Sequence, residues 1–129
     1  MQRTEKTKVL IVEDHRLSRK FFRETLYAYG YDTLAVEDGE QALGLARQYR
    51  PDLILMDIKL PTGPGLETTR HLKNDATLRS IPVVAVSAHA MCGDRTQILE
   101  SGCDGYLSKP VSIHTLVETV EDFVQPEAQ

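Results

Sequence analysis

At 129 residues with a formal charge of -4, the chain is long enough to form one domain that buries roughly two thirds of its unfolded surface. It has no cationic excess with which to neutralise the phosphates of a nucleic acid. Its apolar content of 41% is ordinary for a globular protein, no apolar stretch approaches the ~20 residues of a membrane span, and Met1 to Lys8 lacks the apolar core of a secretory signal. Cys92 and Cys103 fit neither a disulfide framework nor a paired metal-ligand spacing and read as small packed residues. A reducing cytoplasm is the expected setting. His15, His71, His89 and His114 are scattered without metal-ligand spacing.

Polar tails are predicted at 1–7 and 125–129, bracketing one domain over 8–124. Val9-Leu10-Ile11-Val12 is a β-branched apolar run, the pattern of a strand covered on both faces, and it ends in Glu13-Asp14. From Arg16 to Tyr29, Leu17, Phe21, Phe22, Leu26 and Tyr29 recur at helical spacing, with Gly30 at the stop. Adjacent Phe21 and Phe22 cannot both enter the core; one of them either packs on Lys and Arg stems or helps to form a partner surface. Tyr31 to Val36 alternates polar and apolar, which suits an edge strand. Asp38 is placed to cap a helix reaching about Tyr49, with Ala42, Leu43, Leu45 and Ala46 inward.

Leu53-Ile54-Leu55-Met56 then runs without interruption into Asp57, bounded by Pro51 and Pro61, as a second doubly covered strand. After the loop Lys59 to Gly65, Leu66, Thr69 and Leu72 give a helix a narrow apolar stripe. Pro82 to Val86 is a further apolar strand, ending in Ser87. Met91 to Ser101 is a poor helix, interrupted by Gly93 and short of apolar anchors, and so a candidate mobile element; Gly102 marks its stop. Gly105 to Ser108 is a short strand leading into Lys109-Pro110. Ser112 can cap a last helix in which Leu116, Val120, Phe123 and Val124 follow i, i+4, i+7, i+8.

Strands alternating with helices predict an α/β fold with a parallel sheet and helices on both faces, joined by right-handed crossovers. The first, third and fourth strands are the most apolar and belong in the centre, the second and fifth at the edges. The predicted architecture is a flavodoxin-like doubly wound (βα)5 sheet of order 2-1-3-4-5.

A lone Asp at a strand end is either a turn residue or a site. In an open parallel sheet, sites form outside the carboxyl ends of the strands, beside the point where strand order reverses, here between the first and third strands. The first strand delivers Glu13 and Asp14 to that edge, the third Asp57, the fourth Ser87 and the fifth Lys109. Four polar strand ends converging there exceed what turn chemistry requires. Three carboxylates packed together repel, and one becomes protonated unless a cation enters. Hard oxygen ligands without nitrogen or sulfur suit Mg2+, and three carboxylates, one Mg2+ and one Lys sum to zero charge. A carboxylate can act as a nucleophile toward phosphorus, and phosphoryl transfer needs little beyond in-line positioning, a metal and a cation. Lys109 and the Ser87 hydroxyl are then the donors for phosphoryl oxygens.

With these residues in place the sequence closely resembles the CheY-like receiver domain of two-component response regulators, over about Lys8 to Phe123. The resemblance rests on Glu13-Asp14, on Asp57-Ile58-Lys59-Leu60-Pro61 with Gly65, on Val84 to Ala88, and on Tyr106-Leu107-Ser108-Lys109-Pro110. The wording around Gly65-Leu66-Glu67 and Pro82 to Met91 looks most like stand-alone DivK-type regulators and hybrid-kinase receivers. The resemblance implies that Asp57 accepts a phosphoryl group from a phosphohistidine of a sensor histidine kinase or a histidine phosphotransfer protein. It further implies Mg2+ held by Asp14, Asp57 and the backbone carbonyl of Lys59, with Glu13 acting through water. Ser87 and Lys109 would engage phosphoryl oxygens, Ser87 and Tyr106 would form the switch, and the bond before Pro110 would be cis. The output would pass through the fourth helix, fifth strand and fifth helix to a downstream protein effector, with no nucleic acid or membrane as partner. Ser87 stands where the family often has Thr, and Lys59 and His89 occupy the positions, two after Asp57 and Ser87, at which the family tunes phosphoryl lifetime.

Two other functions use the same parts. A metal-dependent phosphatase with an Asp nucleophile would want a leaving-group acid two residues on, where Lys59 stands. A flavin carrier of the same topology would want a Ser-, Thr- and Gly-rich loop after the first strand, where Glu13-Asp14-His15-Arg16 stands and would repel the flavin phosphate. Apart from self-catalysed chemistry at Asp57, no enzyme activity is expected. Met1 and the short tails favour a stand-alone regulator over a receiver cut from a longer chain.

Overall fold

The computed structural model describes residues 7–58, 64–88 and 92–124, and their side chains except those of 64 and 92–95. The elements alternate strictly: β1 (Lys8–Val12), α1 (Arg16–Ala28), β2 (Asp32–Val36), α2 (Gly39–Tyr49), β3 (Leu53–Asp57), α3 (Pro64–Asn74), β4 (Val83–Ser87), α4 (Cys92–Glu100), β5 (Gly105–Ser108) and α5 (Ile113–Val124). The five strands form one parallel sheet of order β2-β1-β3-β4-β5, as the apolar ranking of the strands predicts.

The central strands are apolar throughout because both faces are covered, and their alternation divides the core in two. Leu10, Val12, Ile54, Met56, Val83 and Ala85 point toward α2, α3 and α4, packing with Ala42, Ala46, Leu66, Leu72 and Ile98. Val9, Ile11, Leu53, Leu55, Val84 and Val86 point the other way, onto Phe22 and Leu26 of α1 and Leu116 and Val120 of α5. The two-residue period of a strand sorts these sets.

Local chemistry sets the element ends. Asp38 accepts from Gln41 N at 2.9 Å and caps α2, and Ser112 Oγ accepts from Thr115 N at 3.1 Å before α5. Gly30 ends α1 with φ of 95° and Gly102 follows α4 with φ of 110°, conformations that suit a residue without Cβ. Two of the residues at helical spacing depart from expectation: Leu17 in α1 is 66% exposed, and Tyr29, just past its end, is 56% exposed. Only Phe22 and Leu26 of that helix are buried, because α1 meets the sheet along a narrower stripe than its apolar content suggests. Tyr31 and Pro82 precede β2 and β4 rather than opening them. Lys59, Leu60, Pro61, Gly63, His89, Met91 and the two tails, apart from Thr7, lie outside the described residues, as does the side chain of Cys92. Cys103 is buried, as a small packed residue is expected to be.

Candidate functional site

The sheet register brings the acidic residues together. Val12 of β1 pairs with Met56 of β3, so Glu13 and Asp57 leave adjacent strands at the same level, each next after a fully covered residue. Glu13 is held at both ends: its N–H donates to Val36 O of β2 at 3.0 Å, and its Oε2 accepts from His15 N at 3.1 Å. Glu13 is buried and Asp14 is exposed, with Asp57 between them in exposure. Carboxylate oxygens of Glu13, Asp14 and Asp57 lie within 4.8 Å of one another.

Lys109 enters from the far side of the sheet, after β5. Its backbone N–H donates to Ser87 O at 2.9 Å, and the Lys109–Pro110 peptide is cis. Nζ donates to Asp57 Oδ1 at 3.3 Å and lies 3.2 Å from Glu13 Oε1. The second contact is ionic but lacks hydrogen-bond alignment, so Glu13 Oε1 is a buried oxygen that accepts no hydrogen bond among the described residues. Burial first, and repulsion from Asp57 second, push the Glu13 carboxyl above its ordinary value despite the lysine. Among the described residues, Lys109 thus sits against the Glu13 and Asp57 carboxylates, with Asp14 beside them, in a partly dry site. Among the described residues the donor set is all oxygen, and it fits a hard divalent cation such as Mg2+ better than a soft or nitrogen-seeking metal.

Ser87 ends β4 fully buried, one residue beyond the partner of Asp57 in that strand. Tyr106 in β5 pairs with Ala85 and packs, partly exposed, against the α2–α4 side of the core. Gly65, at the start of α3, lies so close to the strand end that a Cβ there would collide with the Asp57 carbonyl oxygen. That approach gives a physical reason for a glycine at this position. The structure thus brings Glu13, Asp14, Asp57 and Lys109 together, with Ser87 and Tyr106 on the neighbouring strands; Lys59 lies outside the described residues.

Sequence reasoning missed the wall opposite. A cleft of about 350 Å³ extends from Asp57 and Asp14 past Glu37, Asp38 and Gly39 to Thr68. It also missed Arg19, whose Nη1 donates to Glu13 O at 3.0 Å. The only signal for Arg19 was a cation on the helix that follows an acidic strand end; the contacts of Gly39 and Thr68 had none, since α2 and α3 meet only in the folded chain.

A second, apolar groove of about 570 Å³ opens beside Lys109, lined by Leu17, Phe21, Phe22, Ala88, Pro110 and Val111. Phe22 is buried and Phe21 partly so, their ring centroids 5.5 Å apart. No helix among the described residues is long and apolar enough to cross a membrane.

The family model of the response regulator receiver domain matches residues 9–121. The polar-differentiation response regulator DivK of Brucella anthropi is 51% identical over 116 residues, covering 90% of this chain and 94% of that protein. Among solved structures, the receiver domain of sensor histidine kinase PA1611 from Pseudomonas aeruginosa, which has a magnesium ion coordinated in its active-site cleft, is similar with a TM-score of 0.84. It is 32% identical, and the match covers 93% of this chain and 98% of that one. The chemotaxis protein CheY4 of Vibrio cholerae superposes with a TM-score of 0.85 at 26% identity, over 92% of this chain and 99% of that one. This chain accordingly belongs to the response regulator receiver domain family, the signalling switches of two-component systems rather than classical enzymes.

Proposed function

We propose that Asp57 is the phosphoacceptor of a Mg2+-dependent switch. The observation that carries this reading is the pairing of one carboxylate with one lysine, Asp57 Oδ1 and Lys109 Nζ at 3.3 Å, beside two further carboxylates. A carboxylate oxygen of Asp57 forms a bond to phosphorus while the bond from phosphorus to a donor imidazole nitrogen breaks; the electron pair leaves with that nitrogen, which takes up a proton. The stiff apolar strand behind Asp57 fixes the nucleophile in line. Lys109 sits where it can pass from the Asp57 carboxylate to a phosphoryl oxygen, and the Ser87 hydroxyl is a second donor.

Asp14, Asp57 and the Lys59 carbonyl are the proposed direct ligands of Mg2+, with Glu13 acting through water. When bound, Mg2+ would supply the charge that offsets the carboxylates and the incoming phosphoryl group, itself about -1.5 to -2 at neutral pH by analogy with phosphate esters.

The donor is a sensor histidine kinase or histidine phosphotransfer protein in the cytoplasm, acting on a receiver unit over 8–124. Its docking place is the groove of Leu17, Phe21 and Val111, an apolar opening that reaches Lys109. Ser87 and Tyr106 relay the phosphorylated state to the α4-β5-α5 face, which a downstream protein effector reads.

The test is incubation with acetyl phosphate and Mg2+. One acid-stable, base-labile phosphoryl group per chain is expected, and Asp57→Asn should abolish it. Labelling that persists in the variant, or that proceeds without metal, overturns the reading.

A further inference from the structure

We propose that Arg19 is a positioning residue for metal binding, acting through the backbone that carries Glu13 and Asp14. The proposal rests on the Mg2+ reading of the acidic site. Arg19 stands in α1 with its backbone N–H on His15 O at 2.9 Å. Its guanidinium folds back over the turn it has just left: Nη1 donates to Glu13 O at 3.0 Å and reaches Asp14 O at 3.5 Å. Nη2 lies 3.7 Å from Glu37 Oε2, after β2. With 17% of its side chain exposed, Arg19 is more enclosed than a surface arginine needs to be. The residues it ties down come from the two turns that flank the cleft, the one carrying Asp14 and the one carrying Glu37 and Asp38.

Two carbonyls and one carboxylate meet a single planar fork. A lysine presents one point of charge and cannot hold that geometry. Glu13 and Asp14 supply side chains to the site, while their carbonyls are held by Arg19, so the guanidinium sets the direction in which those side chains leave the backbone. Outer partners of this kind govern how well ligands are aimed.

Charge and positioning give opposite signs here. A cation beside an acidic cleft repels Mg2+, so if Arg19 acted only by its charge, removing it would tighten metal binding. If it acts by positioning, removing it loosens binding, and restoring the charge without the fork does not repair the loss.

The experiment titrates Mg2+ into the whole protein and into its Arg19→Ala and Arg19→Lys variants, following heat and backbone amide shifts, with thermal unfolding of each in parallel. Both variants are expected to bind Mg2+ more weakly, by roughly tenfold, and to regain wild-type labelling by acetyl phosphate at saturating Mg2+. Arg19→Lys keeps the charge and most of the stem, and so remains a folded test of the fork. Tighter binding by Arg19→Ala, or wild-type binding by Arg19→Lys, overturns the proposal even where unfolding temperatures fall. A wild-type protein that binds no Mg2+ brings down the metal reading itself, and this proposal with it.

Discussion

Lys109 and Asp57 stand 52 positions apart in sequence, yet Nζ of one donates to Oδ1 of the other at 3.3 Å, and the same ammonium lies 3.2 Å from the buried oxygen of Glu13. One ammonium is shared by two carboxylates on neighbouring strands. Replacing it with an apolar stem of similar length, Lys109→Met, removes that ammonium from both acids. Urea unfolding at neutral pH without metal should show a loss of about 1.5–3 kcal/mol, the scale for a hydrogen bond between charged groups. Added Mg2+ should restore part of that stability, while labelling by acetyl phosphate stays slow because the phosphoryl oxygens lack their lysine.

Glu13 makes the stability of the metal-free protein depend on pH in a direction opposite to that of most carboxylates. Burial and Asp57 raise its pKa above 4.5, so the folded protein holds this proton more tightly than the unfolded chain does. The Glu13 contribution is therefore most favourable below 4.5 and is lost as pH rises through the raised value. Metal binding requires the deprotonated form, so the rise in unfolding temperature caused by Mg2+ should be larger at pH 8 than at pH 5. Glu13→Gln should raise the unfolding temperature of the metal-free protein at neutral pH and flatten the metal-dependent difference. An unchanged difference in the variant would remove Glu13 from the site.

Gly65 and Gly44 make a paired test of the backbone behind Asp57. A methyl at 65 would strike the Asp57 carbonyl oxygen and crowd Ile58 Cδ1 at 3.1 Å, whereas a methyl at 44, within α2, meets nothing within 4 Å. Gly65→Ala should destabilise by roughly 1–3 kcal/mol and slow phosphoryl uptake by moving α3 against the end of β3. Gly44→Ala should stabilise by about 0.5–1 kcal/mol, the helix gain over glycine. Thermal unfolding of the two variants measures both signs.

Where a residue is covered on both sides, its place in the fold was legible in one dimension. β1, β3 and β4 announce themselves as unbroken apolar runs, and strand ends beside a reversal of order single out Glu13, Asp14, Asp57, Ser87 and Lys109. Coverage on one side reads less well: Leu17 and Tyr29 keep the helical spacing of α1 yet face solvent, and Val117, outside the i, i+4 series of α5, is buried beside Leu116. Leu78 and Ile81 also enter the core from the connection after α3, where no period marks them. The grip of Arg19 on the acidic turn left no pattern, because its partners, Glu13 O and Asp14 O, are backbone atoms that every residue possesses.

Phe21 and Phe22 separate folding from docking. Phe22 is 2% exposed and packs with Val9, Ile11 and Leu26, whereas Phe21 lies partly buried at the edge of the same cluster and lines the groove beside Lys109. Phe22→Ala should cost about 3–5 kcal/mol, the usual price of emptying an aromatic core position. Phe21→Ala should cost less, since part of the ring already meets water, and its effect should fall on the encounter with a protein donor. Transfer from a phosphorylated histidine phosphotransfer protein should slow more than labelling by acetyl phosphate, which needs no docking groove. Equal slowing by both donors would mean that Phe21 acts on the site through the fold, and the groove would lose its place as the docking surface.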